Sequence, residues 1–252
     1  IAQFIGLKAT GVYTTVVFLT SAIQVPYKSL IRVSSPLISE HWKNRDFSGM
    51  KLLYRQVSSV SLVIGLGLFI CAWVNIDFLF SFLKPEFSEG IWVFFFLMMG
   101  RLLDMYFGLN GHIFTSSKKY RYDLIFTLSL IGLVYFLNLY LIPIYGIIGA
   151  AISTSIALVL YNLGRLLFVY FAFSIHPFTW KQSLIIVLGV FCIIVVMNIP
   201  MHDLGIWIQF IVRTITSSFI FFGTILVFNL EPEIKSYVIK GLGYISSSLR
   251  SR

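Results

Sequence analysis

The sequence predicts an all-α integral membrane protein, a polytopic bundle of about seven transmembrane helices, and three observations predict it. The 252 residues are 58% hydrophobic and only 12% charged, with a mean hydropathy of +0.90, far from the soluble range. Apolar runs of roughly 20 residues, enough to cross about 30 Å of hydrocarbon as helix, recur along the chain with short polar breaks. These runs are apolar on nearly every face, whereas barrel strands are about 10 residues long and alternate polar with apolar.

In order, the runs fall at roughly 12–36, 58–80, 90–115, 122–142, 146–173, 182–199 and 205–230. Pro26 lies inside the first and predicts a break there, of the kind tolerated where neighbours or a water-filled cavity satisfy the freed carbonyl. Lys28 and Arg32 follow on one helical face; they either line such a cavity or snorkel to headgroups. The third run carries Arg101 and Asp104 in "MMGRLLDMYFGLNGH". Pro143 is expected to end the fourth run and Tyr145-Gly146 to make a tight hairpin. In the fifth, Gly149, Ser153 and Ala157 recur every four residues, a small-residue face suited to close helix packing in lipid. Residues 1–230 are thus read as the transmembrane bundle. After Pro232, Ile234, Tyr237, Val238, Leu242, Ile245 and Leu249 recur at helical spacing, so residues 231–252 read as a cytoplasmic amphipathic tail.

The net charge of +9 would suggest nucleic acid in a soluble domain. Here Lys43, Arg45, Lys51 and Arg55 follow the first run, Lys118, Lys119 and Arg121 the third, and Arg165 and Lys181 flank the break after the fifth. The alternate breaks are nearly free of positive charge. Such alternation is the positive-inside bias, which predicts a multi-pass protein of the cytoplasmic membrane with a cytoplasmic C-terminus, and makes nucleic-acid binding unnecessary. Cys71 and Cys192 lack metal-ligand spacing, and the histidines lie on separate segments, so neither a metal site nor a cofactor is expected. The start "IAQFIGLKATG" lacks an initiator methionine, a basic n-region and a cleavage site, so a truncated chain is expected.

On a helical wheel Arg101, Asp104, Gly108, His112 and Thr115 share one sector about 80° wide, so that side is expected to face protein or a water-filled cavity. By helical rise Arg101 sits roughly 16 Å below the outer end of its span. A lone arginine there costs at least about 2.5 to 3.5 kcal/mol, so a partner is expected, and Asp104 at i+3 is the nearest. Two readings stand side by side. The pair, with His112 below it, lines a transport path or relays a proton; or it is a self-neutralised pair that pins its helix to a neighbour. Arg165 and Arg213, nearer span ends, are expected to snorkel.

The stretches "GVYTTVVFLTSAIQVPYKSLIRVSSPLIS" and "NLYLIPIYGIIGAAIST", with the polar patch "EHWKNRD", resemble the C-terminal half of the polysaccharide (O-antigen or lipopolysaccharide) flippases of the MATE-like MOP superfamily. The resemblance implies that the runs are the last half of a fourteen-helix fold, with the N-terminal lobe absent. It implies a non-enzymatic transporter that moves a lipid-linked oligosaccharide, a polyprenyl-diphosphate glycan, across the bacterial inner membrane by alternating access. Lys28, Arg32 and Arg101 are then the cations expected to meet diphosphate or acidic sugar. Cation-coupled relatives hold sodium in this lobe, and Asn138, the Ala150 carbonyl and Thr154 fall at positions that resemble part of such a site. Val134, where the pattern has a polar residue, departs from it, and Asn138 also reads as an interhelical hydrogen bond. Coupling by Na+ or H+ is left open. A multidrug or metabolite antiporter of the same superfamily and a membrane-embedded glycan polymerase or ligase are the rivals. The latter needs a catalytic constellation at the outer face, and the outer breaks are too short to carry one.

Overall fold

Backbone carbonyls at membrane depth must be satisfied internally, so the breaks between helices are as informative as the helices. The computed structural model describes residues 2–201 and 204–232, and among them the chain is helical with no strand. The helices are α1 (Ala2–Ser21), α2 (Gln24–Asn44), α3 (Phe47–Val74), α4 (Ile76–Ser81), α5 (Ile91–Phe107), α6 (Leu109–Thr115), α7 (Tyr122–Phe173), α8 (Trp180–Met197) and α9 (Ile206–Val227), with a 3₁₀ turn at Pro85–Gly90. Five are long and apolar enough to cross a membrane: Phe47–Val74, Pro85–Phe107, Tyr122–Phe173, Trp180–Met197 and Ile206–Val227. The expected amphipathic tail lies almost wholly outside the described residues.

The first predicted run is α1 and α2 together, broken at Ala22–Ile23. Pro26 cannot donate to the Ala22 carbonyl and its ring crowds it. The chain tightens instead, with Ala22 N donating to Leu19 O (3.3 Å) and Val25 N to Ala22 O (3.2 Å). At the turn into α3, Arg45 is left-handed (φ 54°) and Asp46 caps the new helix by accepting the Gly49 amide (2.9 Å). Helix α3 starts well before the predicted run, because its first turns, with Lys51 and Arg55, are polar.

The third run is also two helices. The break is at Gly108, where Gly111 N donates to Gly108 O (3.2 Å) rather than to Phe107 O. The freed Phe107 carbonyl takes the Tyr54 hydroxyl (3.2 Å), and at the far end of α6 the Ile113 carbonyl takes the Trp42 indole (3.1 Å). A side chain at 108 would collide with the Tyr27 phenol, so glycine is what lets α2 approach the break.

Helix α7 doubles back at Gly146 (φ 58°, ψ −135°). Pro143 does not end the helix as expected; reversal comes three residues later, at a residue without a Cβ. Arg165 bonds Asp123, Phe126 packs on Phe168, and a Cβ on Gly149 would strike the Leu141 carbonyl, so residues 122–145 and 147–173 run antiparallel in close contact. The predicted small-residue face serves this approach. The second arm packs centrally, against α1, α5 and α6.

The tryptophans Trp42, Trp73, Trp92, Trp180 and Trp207 all lie in the first or last turn of a helix, as expected of rings that sit at membrane interfaces. The basic segments meet at one end of the bundle, where Lys119 lies 5.6 Å from the Phe173 ring centroid and Trp42 is packed on Phe173. The interior divides into two apolar clusters. One, around Val16, Leu66, Phe69, Leu97 and Leu102, lies toward the opposite end; the other, around Ile38, Tyr54, Ile113, Phe114 and Val169, lies toward the basic end. The helix breaks at Ala22–Ile23 and Gly108 fall between them.

Candidate functional site

A polar layer separates the two apolar clusters, and both breaks open onto it. Gln24, the first residue of α2, is its centre. Its side-chain oxygen accepts from Arg101 Nη1 (3.3 Å) and its Nε2 donates to Asp104 Oδ2 (3.1 Å). Arg101 Nη2 also donates to the Val17 carbonyl at the end of α1 (3.1 Å). Asp104 Oδ1 accepts from Asn162 Nδ2 (2.9 Å), and the Asn162 carbonyl accepts from Asn110 Nδ2 (3.0 Å). Asn162 and Asn110 are buried; Gln24, Arg101 and Asp104 are half-buried.

The expected direct Arg101–Asp104 pair is therefore corrected: among the described residues no ion pair joins them, and an amide bridges them instead. The reason lies in the backbone. With α1 and α2 broken beside α5, Gln24 presents a donor and an acceptor to residues one helical turn apart. The charges remain close enough to attract, and each is held by a group from another helix. The layer thereby ties α1, α2, α5, α6 and α7.

Lys28 and Arg32 are both exposed and form no ion pair among the described residues. They continue one face of α2 from Gln24 toward the basic end, with Ser35, Ser39 and Lys43 in the same sector of the helical wheel. His112 is half-buried on α6, and no hydrogen bond joins it to Asp104. The expected cation positions are used otherwise. Thr154 Oγ1 donates to the Ala150 carbonyl (2.9 Å) and lies 3.2 Å from the Tyr13 hydroxyl, and no hydrogen bond links either to Asn138. The buried Asn138 Oδ1 has no hydrogen-bond partner. No group of three metal-ligating side chains occurs among the described residues.

Snorkelling is corrected for two arginines. Arg165 donates through Nε to Asp123 Oδ1 (2.9 Å) and lies 4.5 Å from the Tyr161 ring centroid, so it closes the α7 hairpin rather than reaching for headgroups. Arg213 donates to the Val74 carbonyl (3.0 Å) freed where α3 ends, and beside it Asn75 donates to Thr214 Oγ1 (3.1 Å).

Comparison with protein-family models, curated proteins and solved structures yields no match. What the chain does therefore has to be read from the geometry.

Sequence reasoning missed Gln24 and Asn162. Gln24 carried a signal, a lone amide two residues before Pro26 and one turn before Lys28 on the same face. Asn162 sat among apolar residues with nothing in sequence to connect it to Asp104. A second polar cluster was missed as well. Gln182, buried, accepts from Tyr106 OH (2.8 Å) and the Thr179 amide (2.8 Å), and donates to Ser59 Oγ (2.8 Å) and Pro177 O (3.0 Å). With Thr179 it forms the capping box of α8.

Proposed function

We propose that this chain is the C-terminal half of a flippase that moves lipid-linked oligosaccharide, with its diphosphate, from the cytoplasmic to the outer leaflet of the bacterial inner membrane. In this reading the chain crosses seven times, α1 with α2 making the first crossing, α3 the second, α5 with α6 the third, the α7 hairpin two, and α8 and α9 the last. The basic end is then cytoplasmic.

One observation carries the reading: a hydrogen-bonded layer with both charges, placed at two helix breaks and continued along α2 by exposed Lys28 and Arg32. Buried charge and interrupted helices between apolar clusters are costly, and in membranes they mark substrate paths where helices meet a cavity. Cations that have no ion pair among the described residues do not suit lipid tails on an exposed helix face; they suit an anionic headgroup crossing the bilayer. At the opposite end the connections are the 75–90 segment, the Gly146 turn and the break after α8, and Lys84 is the only basic residue among their described residues, which favours transport over glycan polymerisation, a reaction that needs a catalytic constellation there. A second reading, a cation-coupled antiporter of the same superfamily, is favoured by Asp104, an acid at helix breaks.

The test is surface glycan export in cells whose own copy of the gene is replaced by variants at unchanged protein level. Lys28→Ala with Arg32→Ala is expected to reduce export about tenfold or more, given charge-assisted contacts of about 1.5 to 3 kcal/mol each. Normal export by that double variant and by Asp104→Asn would end the flippase reading. Normal export with lost drug resistance would favour the antiporter.

A further inference from the structure

At the basic end, apart from the polar layer, lies a cluster with an excess of positive charge and donors. Arg55, in the third turn of α3, donates through Nη2 to His176 Nε2 (3.3 Å) in the segment between α7 and α8. Because Nε2 accepts, the neutral imidazole carries its proton on Nδ1. That Nδ1 and the Arg55 Nε are both buried, and neither has a hydrogen-bond partner. Lys51, one turn earlier on α3, is half-buried, and together with Arg55 it bears electrostatically on the same ring. Among the described residues neither Lys51 nor Arg55 is within ion-pairing distance of a carboxylate.

Among the described residues, two cations without a carboxylate and two buried donors without acceptors are costly to leave so, and what all of them lack is the same: an acceptor-rich anion. Water could meet the donors but not the charge. The cluster is also placed firmly. The Gln182 amide holds the Pro177 carbonyl next to His176, Ile175 beside it is buried, and the rings of Tyr170 and Phe178 flank the imidazole at centroid distances of 6.1 and 6.3 Å. An unneeded charge cluster would not require such a support.

We propose that Arg55, His176 and Lys51 form a binding site for a phosphate group at the basic end of the bundle. Phosphate supplies acceptors for the guanidinium fork and the imidazole N–H, and charge to balance both cations. The group belongs either to a lipid headgroup or to free phosphate. The site does not depend on the transport reading, since none of its residues lies in the polar layer.

The full chain, purified into nanodiscs of phosphatidylcholine, tests this in two arms. Thermal unfolding is followed with added inorganic phosphate in one arm, and in the other with phosphatidic acid included in the bilayer, each against chloride and phosphatidylcholine alone. Stabilisation by either probe is expected, and which probe acts tells the source. Arg55→Gln is expected to weaken it about tenfold in midpoint concentration. Should Arg55→Gln fail to fold, Lys51→Gln, which removes a side chain that forms no hydrogen bond among the described residues, is expected to weaken it severalfold with an unchanged melting temperature in the absence of probe. No stabilisation by either probe, or equal stabilisation of wild type and Lys51→Gln, overturns the proposal.

Discussion

Two polar clusters lie in the interior of this bundle, and they are built to opposite rules. Around Gln182 every partner is neutral, the amide uses both its oxygen and its nitrogen, and Gln182 itself is 2% exposed. Around Gln24 the partners are charged, the residues are half-exposed, and the bonds span two helix breaks. A closed neutral network in a low-dielectric interior fixes helix positions and offers nothing to a ligand. A half-open network with both charges present is expensive in lipid and is the place where function is to be sought. The first cluster braces α3, α5 and α8; the second joins charged groups where α1 meets α2 and α5 meets α6.

Breaking the brace is expected to have the largest effect on stability. Gln182→Leu would leave the Ser59 and Tyr106 hydroxyls, the Pro177 carbonyl and the Thr179 amide without their partner, at about 1 to 3 kcal/mol for each group that finds no other. A loss on the order of 3 kcal/mol should appear as a lower melting temperature in detergent. Export per folded molecule should not change, and a large fall in specific export would undo the division drawn between the clusters.

Next in size is Gly100→Ala. A Cβ there would lie 2.9 Å from the Ser155 Cα, so the α5–α7 crossing would have to widen. Overpacking of this kind costs about 1 to 3 kcal/mol. Unchanged unfolding would show that the crossing is looser than its geometry.

Asp104→Asn reverses the pattern. Asp104 accepts from two amides, and an asparagine offers one acceptor, so about one hydrogen bond is lost, roughly 1 kcal/mol. Export should fall much more than stability. If both fall together in proportion, the layer is a second brace and the comparison collapses.

The smallest effects are those of pH at the basic end. Burial, then the Arg55 and Lys51 charges, hold the His176 imidazole below its ordinary proton affinity. A depressed histidine is neutral in the folded chain, while the unfolded chain takes up a proton below about pH 6.5. Stability should therefore fall as pH drops through that value, and His176→Gln should flatten the slope of melting temperature between pH 7 and 5. The Gly49 amide, with His41 beside it, holds the Asp46 carboxyl below the usual range. That contribution is present above about pH 4 and is lost as pH falls through the lowered value.

Much of the fold was legible because lipid imposes a simple rule on composition. The apolar runs became helices, Pro26 marked a break, and Gly146 marked a reversal. Boundaries were misjudged where polarity and helicity part company: α3 begins in residues too polar for a hydropathy window, and α7 runs through Pro143 in its last turn before the reversal. In the candidate site, Arg101 and Asp104 stood out as charges in an apolar run. Their partners did not. Gln24 lies 77 positions from Arg101 and Asn162 lies 58 from Asp104, and neither spacing has a local signature. Arg55 was likewise read only as loop charge, and His176, 121 positions away, only as one of four histidines on separate segments.

What the sequence by itself determined is that this chain is helical, apolar enough for a membrane, asymmetric in charge and broken at defined places, because each follows from local composition and backbone sterics. Only the tertiary structure decided that Gln24 bridges Arg101 and Asp104, that Arg165 closes a hairpin, and that Arg55 and His176 meet with donors unspent. A buried charge must find a partner, but which one it finds depends on helices that approach from distant parts of the chain.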